Sequence, residues 1–145
     1  MKTLLLLAAL AAVTAVTACD RRASPTENGA RAVTGIVELR FGSLVERYDL
    51  RVERTDQGFA PSLTPLGGAQ AAGRGLQGLA FVRFDAGGGD PIVIPTPQGT
   101  VTTRLTYRPL GPWQVLDRAA VSVAVPQLGT GPEFTVAVVE PRLVR

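Results

Sequence analysis

The chain predicts an all-β fold: a single antiparallel β-sandwich, with a small β-barrel as the alternative, of about seven short strands after a flexible tether. Three observations predict it. Apolar and polar residues alternate with period two in segment after segment from residue 32 onward, the mark of half-buried strands. The 16 glycines and 11 prolines punctuate the gaps between those segments and argue against long helices. A length of 145 residues with 46% hydrophobic content suits one domain with a real core and no need of disulfide staples.

The strands follow in order. Val33, Gly35, Val37, Leu39 and Phe41 alternate with Thr34, Ile36, Glu38 and Arg40. Tyr48, Leu50 and Val52 alternate with Arg47, Asp49, Arg51 and Glu53, and Thr55-Asp56-Gln57-Gly58 supplies turn chemistry. Residues 61–78 hold five glycines and two prolines without periodicity. They read as a long loop, which is uncommon in a compact domain. A short helix over 69–77 is the other reading, although Gly73 and Gly75 would each cost it about 1 kcal/mol. Residues 79–85 offer a third strand, with Ala80, Val82 and Phe84 opposite Leu79, Phe81 and Arg83. Ile92 to Ile94, bounded by Pro91 and Pro95, suits a sheet edge. Val101, Thr103, Leu105 and Tyr107 alternate with Thr102, Arg104, Thr106 and Arg108, the clearest half-buried strand of the chain. Residues 113–120 allow a short helix through Trp113, Leu116 and Ala120, but the valines that follow favour strand. Val121, Val123 and Val125 make the next strand; Phe134, Val136 and Val138 the one after; Leu143-Val144 adds a terminal stub.

Ahead of this domain (residues 32–145) lie two segments of different character. Lys2 is followed by 13 uncharged residues, 4–16. That run is too short to span about 30 Å of hydrocarbon at 1.5 Å per residue, and it matches the apolar region of a secretory signal. It ends in Val16-Thr17-Ala18-Cys19, an aliphatic residue, two small ones and a cysteine. This resembles the lipobox of bacterial lipoproteins. The resemblance covers residues 1–19 alone, and it implies diacylglycerol on the Cys19 thiol, cleavage after Ala18 and export to the cell envelope. Cys19 is the only cysteine, and lipidation would remove a free thiol that is a liability in an oxidising compartment. Two or three acyl chains anchor stably where one binds marginally. Asp20 at the next position resembles an inner-membrane retention signal, a lean toward that membrane. Residues 19–31, polar with Pro25, Asn28 and Gly29, then form the tether.

The composition removes many chemistries. There is no histidine, which excludes Ser-His-Asp and Cys-His arrangements and His-based proton transfer at neutral pH. Nearly all zinc and copper sites go with it. Lys2 is the only lysine, so none remains after processing for Schiff-base chemistry. From Cys19 onward 14 arginines face 12 acids, a net +2. They are interspersed rather than clustered, so no nucleic-acid footprint is visible. No cofactor motif is present.

What survives is carboxylate chemistry and binding. Paired acids can hydrolyse glycosides at suitable separations, with Glu46, Asp49, Glu53, Asp85, Asp90 and Asp117 as candidates, each with an ordinary surface or turn explanation. Asp85 and Asp90 bracket Ala86-Gly87-Gly88-Gly89, a weak oxygen-ligand loop for Ca²⁺ that lacks EF-hand spacing. Trp113 on a Pro/Gly loop is either a stacking anchor for a ligand or partner or a plug in the core. Arg104 and Arg108 line the polar face of their strand and suit an anionic ligand or a solvated face. The expectation is therefore a membrane-anchored envelope lipoprotein. It would act as a non-catalytic binding or structural module for an envelope protein or polymer, with no cofactor and no nucleic acid. A glycan hydrolase using paired carboxylates and a small apolar-ligand carrier are the alternatives.

Overall fold

The computed structural model describes residues 29–67, 76, 78–85, 91–131 and 133–145. They build nine strands: β1 (Ala32–Phe41), β2 (Leu44–Thr55), β3 (Gly58–Leu66), β4 (Val82–Arg83), β5 (Ile92–Thr96), β6 (Gly99–Leu110), β7 (Trp113–Val125), β8 (Gly129–Thr130) and β9 (Phe134–Val144). All pairings are antiparallel, in one sheet of order β3-β2-β1-β9-β7-β6-β5, with β4 and β8 attached to β7. The all-β fold expected from the sequence is the one adopted. Among the described residues β3 pairs only with β2 and β5 only with β6, so the sheet is open and does not close into a barrel. No described helix is long and apolar enough to cross a membrane.

The alternation in β1 and β2 sets their register. Val33 faces Val52 and Val37 faces Tyr48, so the buried set of each strand meets the buried set of the other. Gly42 at φ 58° supplies the left-handed residue of the tight turn between them. Residues 113–120 are strand, as the valines favoured. β7 is the hub of the sheet. One edge of it takes β6 along most of its length. The other edge takes β4 at Gln114 and Val115, β9 at Ala119 to Val121, and β8 at Ala124 and Val125.

Three expectations need correcting. Residues 61–66 are not the start of a loop but part of the edge strand β3, paired with β2 from Thr55↔Gly58 to Arg47↔Leu66. Pro61 and Pro65 hid it, yet they are spaced by four and so share one edge of the strand. An edge strand tolerates proline where its missing N–H would face solvent. Pro95 occupies the opposite edge strand, β5, so both borders of the sheet carry a residue that discourages pairing with another chain. Residues 79–85 supply only the two-residue β4. Leu79, Phe81 and Val82 are all buried, which breaks the period of two, because this segment plugs the core rather than lying in a half-wet sheet. Leu143-Val144 is not a separate stub but the end of β9. The short helix considered over 69–77 lies outside the described residues apart from Leu76, which is helical and fully buried.

The sheet curls back on itself. β9 pairs with β1 from Phe41↔Phe134 to Ala32↔Val144 but with β7 over three residues only. Beyond Val136 the two neighbours of β9 therefore diverge. Phe59 of β3, four strands away from β7 in the sheet order, stands edge-on to Trp113 of β7 with ring centroids 5.1 Å apart. That contact brings one wing of the sheet over the other and gives a sandwich-like layering. Leu76, Leu79 and Phe81, all buried, belong to the same hydrophobic core.

Candidate functional site

The face of β1, β2, β3 and β9 that does not enter the core carries a groove of about 450 Å³. Its side walls are Ser62 and Thr64 of β3 and Glu140 and Arg142 of β9; Thr34, Ile36, Asp49 and Arg51 lie between them, with Gly35 and Leu50 also contributing. The register explains the layout. Ser62 pairs with Arg51, Arg51 with Thr34, and Thr34 with Arg142, which makes one row across four strands. Thr64 pairs with Asp49, Asp49 with Ile36 and Ile36 with Val139, a second row, and Glu140, which also lines the groove, follows Val139 in the chain. Arg51 and Arg142 thus share one row, Asp49 lies about 7 Å along β2 in the next, and Glu140 stands between the rows on β9.

Arg142 reaches this face because of a β-bulge. Val139 pairs with Ile36 and Arg142 with Thr34, so Glu140 and Pro141 together oppose Gly35. The extra residue reverses the alternation of β9. Continuing the pattern of Phe134, Val136 and Val138 would have aimed residue 142 at the core. Glu140 holds φ at 52°, the left-handed region, at a cost of about 1–2 kcal/mol for a residue with a Cβ. Gly35 admits the bulge: a Cβ there would sit 3.2 Å from the Val139 carbonyl oxygen and 3.2 Å from Val138 Cγ1.

Several charges near the groove are paired, Arg51 of its lining among them, whereas Asp49, Glu140 and Arg142 are not. Glu38 accepts from Arg40 at 2.6 Å and from Arg47 at 3.1 Å. The hydrogen bond from Arg40 holds its carboxyl below the ordinary value, against the opposing effect of burial. Arg51 donates Nε to Glu53 at 2.9 Å. Asp49, Glu140 and Arg142 make no side-chain hydrogen bond or ion pair among the described residues. Opposite charges more than 4 Å apart in water attract by less than about 1 kcal/mol, so this arrangement adds little to stability.

The residues singled out in the sequence fall elsewhere. Trp113 is fully buried, so it plugs the core and is not a surface anchor; its Nε1 finds no hydrogen-bond partner. Arg104 is exposed on β6. Arg108 is engaged: its Nη2 donates to the Val138 carbonyl at 3.0 Å, and its Nε lies 3.7 Å from Asp117. These arginines do not line the groove. Asp85 is exposed, while Asp90 and the glycines between lie outside the described residues, as does Cys19. The described residues hold no group of three or more potential metal ligands.

Of the groove, the alternation in the sequence marks Thr34, Ile36, Asp49 and Arg51 as members of the outer strand face. Ser62 and Thr64 were hidden with β3. Glu140 and Arg142 were hidden by the bulge, although two signals marked it: a glycine inside the alternation of β1 and a proline inside β9. Set against protein-family models, curated proteins and solved structures, the chain matches none of them, so its function is argued from its own residues.

Proposed function

We propose that the protein is a lipid-anchored, non-catalytic binding module of a bacterial cell envelope, with the groove on β3, β2, β1 and β9 as its ligand face. The groove carries this reading. A rigid sheet presents hydroxyls and opposite charges that do not satisfy one another, and the backbone of Glu140 is strained at the same place. Strain of this kind persists where surrounding structure imposes it and concentrates at functional sites. The polar lining suits a hydrophilic ligand, which favours an envelope polymer or peptide over an apolar cargo. The lipobox-like residues 16–19 supply the membrane address, with the tether leading into β1.

Two linked measurements test the reading in native membranes. Cys19→Ser should leave an uncleaved precursor without lipid label; normal processing to a soluble product would refute the anchor. A photo-crosslinking side chain at Thr64, inside the groove, should give a discrete adduct that the same side chain at Thr102, on β6, does not. Identical adducts at both positions, or none at 64, would refute the groove as the binding face.

A further inference from the structure

We infer that the groove is built for a zwitterion: an anionic oxygen group seated on Arg142 and Arg51, and an ammonium group seated between Asp49 and Glu140. This deepens the proposed function and rests on the groove being the ligand face.

On this one sheet face the chain pairs its charges where the strands allow it, as Glu38 does with both Arg40 and Arg47 at 2.6 and 3.0 Å. Arg51 and Glu53 do so at 2.9 Å. Within the groove only Arg51 joins such a pair among the described residues, through its Nε to Glu53. Asp49, Glu140 and Arg142 line the same cavity yet form no ion pair with one another or with any other described residue. Two cations and two carboxylates therefore face one space from opposite sides and leave its middle open.

Register gives that space a direction. Arg51 and Arg142 flank Thr34 in one row. Asp49 pairs with Ile36, two residues or about 7 Å along β2 from Arg51, and Glu140 stands in the bulge between Val139, the β9 partner of Ile36, and Arg142. A ligand carrying a single charge would satisfy the groups of one sign and leave those of the other without a partner. A ligand with an ammonium and an anionic group a similar distance apart satisfies both. The hydroxyls of Thr34, Ser62 and Thr64, with no side-chain bond of their own among the described residues, are placed to bond the polar atoms between its ends. Guanidinium groups recognise carboxylate and phosphate oxygens through paired N–H donors, so the anionic end is of either kind. The volume of about 450 Å³ admits a short peptide or a phosphate–ammonium headgroup.

The bulge supports the same reading from the backbone. It turns Arg142 from the core side to the groove, and it holds Glu140 in a conformation that glycine would adopt without strain. A glycine at position 140 would keep the bulge and lose only the carboxylate.

The test uses the full chain in detergent micelles, with backbone amide shifts as readout. Triglycine and O-phosphoethanolamine are the two zwitterionic probes. N-acetyl-triglycine and triglycine amide each lack one charge. At least one zwitterion should shift the amides of Thr34, Ser62 and Thr64 saturably, with an affinity at least tenfold above that of both singly charged analogues. Preference for triglycine would assign a peptide-like source, and preference for O-phosphoethanolamine a headgroup. Glu140→Gly and Asp49→Asn should each weaken the preferred zwitterion about tenfold while leaving the thermal midpoint equal to or above that of the parent (Glu140→Gly) or close to it (Asp49→Asn). No saturable shift with either zwitterion, or equal binding of the capped analogues, would overturn the inference. In that event a groove-specific adduct at position 64 would still stand for the proposed function.

Discussion

Tyr107 shows how one side chain ties distant parts of the chain together. Its hydroxyl donates to the Ala80 carbonyl oxygen at 2.8 Å, and the Arg83 guanidinium lies 5.1 Å from its ring centroid. Burial raises the phenol above its ordinary value of 10.0, with Arg83 opposing. A raised value in the folded state means that the folded protein holds the proton more tightly than the unfolded chain. That contribution to stability is complete below pH 10.0 and is lost as the pH climbs toward the folded value. Tyr107→Phe should cost about 1 kcal/mol at neutral pH by leaving the Ala80 carbonyl without its donor. In urea unfolding series the gap between variant and parent should narrow above pH 10.0; a gap that widens there would contradict the assignment. Thr103 makes the opposite point. Its position on the apolar face was legible from the alternation of residues 101–107, but its buried hydroxyl finds no partner, which no pattern of residue types announces.

At the level of elements, the long hairpins were legible because each strand buries one face. The period of two survives in β1, β2 and β6, where a core side and a wet side differ. It survives in β3 too, where Phe59, Pro61 and Leu63 are half-buried and Ala60, Ser62 and Thr64 exposed, but Pro61 and Pro65 resemble loop punctuation until a neighbouring strand supplies the pairing. It fails around β4, where Phe81 and Val82 are buried in succession. Close approach of strands adds constraints of its own. Gly99 opens β6 at φ 157°, and a Cβ there would overlap the Ala124 carbonyl oxygen of β7. Gly99→Ala should therefore destabilise by about 3 kcal/mol, from steric overlap and from a backbone angle that L residues avoid. Chemical denaturation of the two proteins measures it, and a loss below about 0.5 kcal/mol would mean that the β6–β7 register relaxes freely.

For the whole molecule, the curl of the sheet depends on contacts between strands that never pair. Phe59 bridges the wings: its centroid lies 4.7 Å from that of Phe84 and 5.1 Å from that of Trp113. Arg54 lies 4.8 Å over the Phe84 ring. Phe59→Ala should cost about 3 kcal/mol. Trp113 is the only tryptophan, so its fluorescence reports on this contact directly. Emission should shift to longer wavelength as water reaches the ring. An unchanged spectrum with unchanged stability would show that the wings are held together elsewhere.

The sequence alone determined the all-β class, the faces of the long strands and the place of Tyr48 in the core, because burial of one sheet face writes itself into the order of residues. It also supplied the lipobox-like residues 16–19 on which the proposed envelope location rests. Tertiary structure decided what depends on partners far along the chain: that Trp113 is buried, that β3 is a strand, and that a bulge turns Arg142 outward beside Asp49 and Glu140. The reason is physical. Alternation is a local property of one strand, whereas register, bulges and curl are set by which strand lies alongside, and a displacement of one residue reverses every side chain that follows.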